Sequence, residues 1–276
     1  MIEIIGLNQI FLLLIIMAVT ATLAGFFAGF FGIGGGIITV PCLFYIFESV
    51  GIDKSIIMHL AVGTSFAIII PTAVMSVYTH YKHKAVDFNI LKTYGIFVVA
   101  GVVLGASFAA SMETKSLILF FSVVMYLLAL NLLFLKNKNK IDLKFNLLQR
   151  TTLGFSVGFV SSLMGIGGAI MNVPILKFVG FTINKAIGTA ASIGFLISVF
   201  GTLGFLISGI IVKTNAILSI GFINIPAFLI FVPVTTVMAR IGAKTVQNLD
   251  RMKTQRLFGV FLYVIGTLFL YRFLVT

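Results

Sequence analysis

The sequence is short of charge: 9% of its 276 residues are charged, whereas 60% are hydrophobic. A soluble domain carries roughly a quarter charged residues and has too little interior to bury so much apolar surface. Disorder requires the opposite composition, low hydrophobicity with many charges. The composition therefore excludes a soluble domain and a disordered chain, and it favours a protein whose apolar surface faces lipid.

Groups that support catalysis or metal binding are also scarce. The single cysteine, Cys42, cannot form an intrachain disulfide. His59, His80 and His83 have no metal-ligand spacing, and we interpret them as surface residues. Neither Gly-x-Ser-x-Gly nor His-Glu-x-x-His occurs. We therefore predict a protein that is not an enzyme and that uses no metal or cofactor.

Carboxylates are absent from the middle of every apolar segment. The acidic residues all fall in loops or at segment ends, at Glu3, Glu48, Asp53, Asp87, Glu113, Asp142 and Asp250. No such group is placed to carry a proton across a membrane. Movement of a charged substrate is then expected to follow its electrochemical gradient rather than a proton relay.

The formal net charge of +12 does not indicate nucleic-acid binding, because the basic residues sit in short clusters between apolar runs. Those runs cover about 7–31, 35–47, 56–78, 89–110, 115–135, 149–165, 168–181, 186–212, 215–238 and 255–275. Most are long enough to cross a hydrocarbon core of roughly 30 Å as helices. The first lacks a basic region and a cleavage site before it, so we predict a retained span. The segments 35–47 and 168–181 are short, and each follows a glycine cluster.

The two glycine clusters belong to an internal repeat. Residues 32–41 match residues 165–174 without a gap, Ala-x-Gly-Thr at 61–64 matches 186–189, and Gly-Ala at 105–106 matches 242–243. Three matches in the same order predict two homologous halves, 1–135 and 150–276, joined by a polar cytoplasmic linker at 136–149.

The distribution of basic residues predicts that the halves are inverted. If each glycine-broken pair is a hairpin, each half has five segments. One side then holds Lys82, Lys84, Lys136, Lys138, Lys140, Lys144, Arg150, Lys177, Lys185, Arg240, Lys244, Arg251, Lys253 and Arg256. The other side holds only Lys54, Lys115, Lys213 and Arg272. The positive-inside rule makes the basic side cytoplasmic and both termini extracytoplasmic. A single crossing by each pair would divide the charges almost evenly.

The glycine clusters are the candidate binding site. Closely spaced glycines break a helix, and backbone groups freed at membrane depth must line a cavity or bind a ligand. A helix that starts after the break directs its N–H groups and positive dipole end at that depth, which attracts an anion. Glycines can also serve close helix packing, which is our interpretation of Gly25 and Gly29.

Hydroxyl and amide side chains within or just beyond the repeated motifs could donate hydrogen bonds to an anion. The candidate substrate-binding residues are Gly34, Gly35, Gly36, Thr39, Thr64, Ser65, Gly167, Gly168, Asn172, Thr189 and Ser192. The alternative is that serine and threonine hydroxyls bond back to a carbonyl one helical turn earlier. Thr39 and Asn172, equivalent by repeat, are the favoured ligands.

The paired Gly-x-Gly-Gly-Gly/Ala-x-x-x-x-Pro motifs, each followed by Ala-x-Gly-Thr, resemble the TauE/SafE sulfite-exporter family of bacterial membrane permeases. The resemblance covers essentially the whole chain. It implies transport of sulfite, sulfoacetate or a related small anion, and the family's name implies export. The halves differ at Gly36/Ala169, Thr39/Asn172 and Ser65/Ala190, so the two half-sites are chemically unequal.

The sequence therefore predicts an all-α polytopic membrane protein built from two inverted repeats of about five helices each, with the short glycine-broken helices near the midplane. The predicted function is alternating-access transport of a small anion across a bacterial inner membrane. The predicted partners are that anion and membrane lipid, without nucleic acid, and a homo-oligomer is compatible with the sequence. An anion channel and a membrane assembly subunit without transport activity are the alternatives.

Overall fold

The computed structural model describes residues 7–31, 35–134, 145–214, 216–246 and 251–275, and these are almost entirely helical. The first half forms α1 (Leu7–Phe31), α2 (Gly36–Ser49), α3 (Ile57–Lys82), α4 (Phe88–Thr93), α5 (Gly95–Ser111) and α6 (Thr114–Phe134). The second half forms α7 (Leu147–Met164), α8 (Ala169–Phe178), α9 (Ile183–Ile211), α10 (Ile225–Val246) and α11 (Arg251–Val275). A short hairpin of β1 (Ser219–Ile220) and β2 (Ile223–Asn224) precedes α10.

Six helices of the described chain are long and apolar enough to cross a membrane. They lie within α1, α3, α6, α9, α10 and α11. Three further apolar helices, α2, α5 and α8, are shorter. Most predicted apolar segments correspond to one helix each, whereas 89–110 divides into α4 and α5, and 215–238 includes the β hairpin before α10. The prediction of an all-α polytopic membrane protein is confirmed.

Local capping defines where several helices begin. The Asn146 side chain accepts from the backbone N–H of Gln149, whose side chain accepts from the N–H of Asn146, so α7 starts with a capping box. Helix α7 thus begins inside the predicted linker 136–149, whose residues 136–144 lie outside the described chain. The Asp87 side chain caps α4 by accepting from the N–H groups of Asn89 and Ile90.

The pairing of helices is unchanged when the two halves are exchanged. Helix α1 packs on α10, and its repeat equivalent α7 packs on α5. Likewise α2 packs on α3 as α8 packs on α9, while α3 pairs with α9 and α6 with α11. Gly25 permits the α1–α10 contact, because a Cβ atom there would lie 2.6 Å from Thr235 Cα. This is the arrangement expected of two equivalent halves.

One histidine, His59, lies in the interior, so our prediction that it is a surface residue was wrong. His59 is 3% exposed, and its Nε2 lies 3.0 Å from the carbonyl oxygens of both Ala109 and Met112. Its ring also stacks on Phe222. The hydrogen bonds join the start of α3 to the end of α5, and they account for the burial of a polar side chain.

Candidate functional site

The two predicted helix breaks have the same geometry. Gly35 and Gly168 are the N-terminal caps of α2 and α8, with φ of 83° and 66°. That left-handed conformation is one that glycine adopts readily and other residues rarely do. Each glycine carbonyl accepts hydrogen bonds of 2.9–3.1 Å from the amides three and four residues later, including those of Thr39 and Asn172.

The first amides of α2 and α8 therefore begin helices in the interior of the bundle. Such amides have no intrahelical acceptor, and within the described residues no side chain caps either N-terminus. Both helix dipoles direct their positive ends at this level of the protein. Gly34, another predicted site residue, lies outside the described residues.

The two breaks touch one another. Gly36 packs against the carbonyl oxygen of Gly165, and a Cβ atom on Gly36 would lie 2.8 Å from Ile166 Cα. Ser65, which is fully buried, donates a hydrogen bond of 2.9 Å to the same Gly165 oxygen. The closely spaced glycines thus allow the backbones of the two halves to meet.

A cavity of about 600 Å³ extends from this meeting point. Its deep end is lined by both breaks, through Gly35 and Thr39 of one half and Gly167, Ala169 and Val173 of the other. Its walls carry the hydroxyls of Thr72, Ser76, Thr79, Thr235 and Thr236. At the opposite end, near the C-termini of α3 and α10, it is lined by His80, Arg240 and Lys244.

The electrostatics of the cavity suit an anion. Two helix N-termini and the cations Arg240 and Lys244 supply positive charge, and no described residue of the lining is a carboxylate. The Thr39 hydroxyl donates to the carbonyl of Gly35 at 3.0 Å, and the Thr235 and Thr236 hydroxyls are bonded back to their own helix. Within the described chain, no group of three His, Cys, Asp or Glu side chains is placed to hold a metal.

Three predicted residues line the cavity directly: Gly35, Thr39 and Gly167. Gly167 borders open space, since a Cβ atom there would meet nothing closer than 3.7 Å. Gly36, Ser65, Gly168 and Asn172 lie around the two breaks without belonging to the lining. Ser192 is outside the lining too, and its hydroxyl bonds back to the carbonyl of Gly188 at 3.1 Å.

Thr64 and Thr189 form hydrogen bonds between the two halves. The Thr64 hydroxyl accepts a hydrogen bond of 2.9 Å from the backbone N–H of Asn224, in the other half. The Thr189 hydroxyl accepts one of 3.0 Å from the N–H of Asp87, again in the other half. Both threonines are fully buried, and neither lines the cavity.

The glycine of the Ala-x-Gly-Thr motif completes this contact. Gly63 packs against the carbonyl of Phe222, and Gly188 packs against the carbonyl of Ala85. Each of these carbonyls belongs to the residue two positions before the one whose N–H donates to the threonine hydroxyl. The motif therefore joins each half to the other in the same register, and both threonine hydroxyls act as acceptors in this contact.

The basic end of the cavity was missed by the sequence analysis. Thr236, Arg240 and Lys244 are spaced four residues apart, so they lie on one face of α10. That polar stripe on an otherwise apolar helix could have indicated a cavity wall. The repeated motifs do not include it, because the equivalent positions of the first half carry no such charges.

The comparisons with known proteins agree with this architecture. Residues 17–269 match the family model described as "Sulfite exporter TauE/SafE". A Haemophilus influenzae protein named "Probable membrane transporter protein" is 30% identical over 257 residues, covering 93% of this chain and 97% of its own. A protein of the same description from Methanocaldococcus jannaschii is 27% identical, covering 94% and 96% of the two chains. No solved structure matches the chain. This membrane transporter therefore belongs to the sulfite exporter TauE/SafE family.

Proposed function

We propose that this protein is a secondary transporter that exports a small sulfur-containing anion, such as sulfite, sulfoacetate or a related organosulfonate. The observation that carries the proposal is the cavity whose deep end is lined by the N-termini of α2 and α8 together. Backbone amides at helix N-termini bind oxyanions without a side-chain charge. The family description "Sulfite exporter" supports the choice of substrate class.

The mechanism we propose is alternating access between inverted repeats, 1–135 and 150–276. Inverted repeats place a binding site near the membrane midplane, where the halves meet and can rock against each other. The symmetric helix pairing supports equivalent halves. The cavity is lined by residues of both halves, which also meet at the contact of Gly36 with Gly165.

The proposed orientation follows from the positive-inside rule. It places both termini outside the cytoplasmic membrane and places Arg240 and Lys244, at the mouth of the cavity, on the cytoplasmic side. The structure then represents a conformation open to the cytoplasm, where cations attract the anion. An inside-negative potential favours its expulsion by about 2.3 kcal/mol per charge per 100 mV.

The orientation can be tested with single cysteines in a Cys42→Ser background. Lys115→Cys should react with an impermeant maleimide added to intact cells. Lys84→Cys and Lys185→Cys should react only after permeabilisation. Labelling of Lys115→Cys only in permeabilised cells would contradict the inverted arrangement.

The substrate is tested on the purified protein with sulfite, sulfoacetate, sulfate, acetate and chloride. A substrate that binds the folded state raises the thermal unfolding midpoint by mass action. We expect sulfite or sulfoacetate to stabilise the protein, and the same anion to show saturable efflux from proteoliposomes when a potential is imposed without a pH gradient. A response to none of these anions would refute the proposal. An ion current that does not saturate would indicate a channel instead.

A further inference from the structure

Two fully buried polar atoms beside Gly168 have no hydrogen-bond partner among the described residues. They are Ser161 Oγ and Asn172 Nδ2, on side chains that are both 0% exposed. Nearly all buried polar groups in proteins are paired, because an unpaired one loses its hydration without compensation. Two such atoms at one place are hydrogen-bonding groups available to a ligand.

Both atoms surround the same point at the N-terminus of α8. The position that a Cβ atom on Gly168 would take lies 3.0 Å from Ser161 Oγ and 3.2 Å from Asn172 Nδ2. The buried Tyr94 hydroxyl donates to Asn172 Oδ1 at 2.8 Å, which fixes the amide and leaves its Nδ2 donor free of that bond. A serine hydroxyl, an amide N–H and the first amides of α8 are all donors suited to an oxyanion.

The equivalent position in the first half, beside Gly35, is surrounded by different side chains. A Cβ atom on Gly35 would lie 3.1 Å from Ala28 Cβ and 3.7 Å from Thr39 Oγ1. Ala28 and Thr39 are the repeat equivalents of Ser161 and Asn172. Both line the cavity, whereas Ser161 and Asn172 do not. In this conformation Ala28 and Thr39 face the cavity. Ser161 and Asn172, the better pair of hydrogen-bond donors, are enclosed in the second half.

The conformational exchange of inverted repeats connects these observations. When the halves of such a transporter exchange conformations, residues equivalent to one cavity's lining come to line the cavity on the other side. Ser161 and Asn172 would then face open space, and Ile197, whose Cδ1 lies 2.5 Å from the Gly168 Cβ position, would no longer cover them.

We propose that Ser161, Asn172 and the first amides of α8 form a second anion subsite, which binds the oxygens of the substrate in the conformation open to the side opposite the present cavity. This inference rests on the proposed function. Tyr94 is a positioning residue, since it reaches the subsite only through Asn172. The subsite contains no fixed cation among its described residues, in contrast to the mouth at Arg240 and Lys244.

The test replaces each side chain with its counterpart from the first half, as Ser161→Ala and Asn172→Thr. The matched control is Ser162→Ala, one residue along α7, whose hydroxyl already donates to the carbonyl of Phe159 at 2.7 Å. Each protein is unfolded thermally without anion. The half-saturating concentration for transport is then measured from each face of the membrane in oriented proteoliposomes. The anion used is sulfite, or sulfoacetate where that anion stabilises the unaltered protein more.

We expect each subsite variant to raise the half-saturating concentration about tenfold on the face opposite the present cavity, as the loss of one hydrogen bond to a charged group predicts. For Ser161→Ala the midpoint without anion should stay the same or rise, because an unpaired buried polar group is removed. Asn172→Thr also removes the acceptor of the Tyr94 hydroxyl, so its midpoint should fall. The control should leave the half-saturating concentrations unchanged on both faces.

Two other outcomes would overturn the inference, and they are distinguishable. Unchanged half-saturation on both faces for both subsite variants, whatever their midpoints, would mean that the two side chains do not bind the substrate. If unaltered protein neither binds nor moves sulfite or sulfoacetate, the proposed function itself fails and the subsite fails with it.

Discussion

Two glycines at the meeting point of the breaks should respond differently to the same added methyl group. A Cβ atom on Gly36 would overlap the carbonyl oxygen of Gly165 and lie 2.8 Å from Ile166 Cα. A Cβ atom on Gly167 would meet Ile69 Cγ2 at 3.7 Å, an ordinary contact, and would project into the cavity. Gly36→Ala therefore tests the contact between the halves, and Gly167→Ala tests the space available to the substrate.

The expected magnitudes follow from what each methyl group meets. Overpacking against backbone, which cannot rotate away, costs about 1–3 kcal/mol. Alanine gains at most about 1 kcal/mol over glycine within a helix. For Gly36→Ala we therefore expect a net loss of about 1–2 kcal/mol in the stability of the folded state. For Gly167→Ala we expect no loss of stability and weaker substrate binding, because the methyl group occupies part of the cavity.

The assay measures two quantities for each purified variant. The thermal unfolding midpoint without anion reports the contact between the halves, and the half-saturating concentration for sulfite efflux reports the cavity. Gly36→Ala should lower the midpoint by several degrees, and Gly167→Ala should leave it unchanged while raising the half-saturating concentration. An unchanged midpoint for Gly36→Ala, or an equal fall for both variants, would refute the assignment of these roles.

Three further predictions concern residues whose roles only the structure made clear. Thr64→Ala and Thr189→Ala should each lower the stability of the folded state by about 1–3 kcal/mol. In each case a backbone N–H of the other half loses its acceptor, a buried one at Asn224 and a partly buried one at Asp87. Thermal unfolding checks this, and unimpaired stability would contradict it. Arg240→Gln and Lys244→Gln should each raise the half-saturating concentration by up to about fivefold at low salt. That difference should shrink as ionic strength rises, since both side chains are exposed, and a salt-independent effect would argue against electrostatic attraction. His59→Leu should lower the thermal midpoint, because two carbonyl oxygens of the α5 end lose their donor. It should not alter the pH dependence of flux, and a changed pH profile would indicate a proton-carrying role.

Much of the fold follows from local properties of the sequence. Apolar runs of membrane length predict helices, because every backbone polar group in lipid must be paired within its own segment. The glycine clusters predict the starts of α2 and α8, since the left-handed conformations of Gly35 and Gly168 are readily adopted only by glycine. Both predictions depend on neighbouring residues alone, and both agree with the structure.

The roles of individual side chains depend on residues far apart in sequence. Thr64 and Thr189 share a motif with the site, yet their hydroxyls accept from amides of the opposite half, more than 100 positions away for each. His59 looks like a surface histidine until the end of α5 supplies two carbonyl acceptors. Arg240 and Lys244 become part of the site because α10 packs beside α1 and α3.

The sequence by itself determined the membrane class, the repeated motifs and the position of the helix breaks, because hydrophobicity, repetition and glycine conformation are properties of short segments. Only the tertiary structure decided which polar groups face the cavity, which form hydrogen bonds between the halves, and which remain unpaired beside Gly168. A polar side chain in a membrane protein can satisfy its hydrogen bonds in several ways. Which of these it uses depends on the partners that packing brings within about 3 Å.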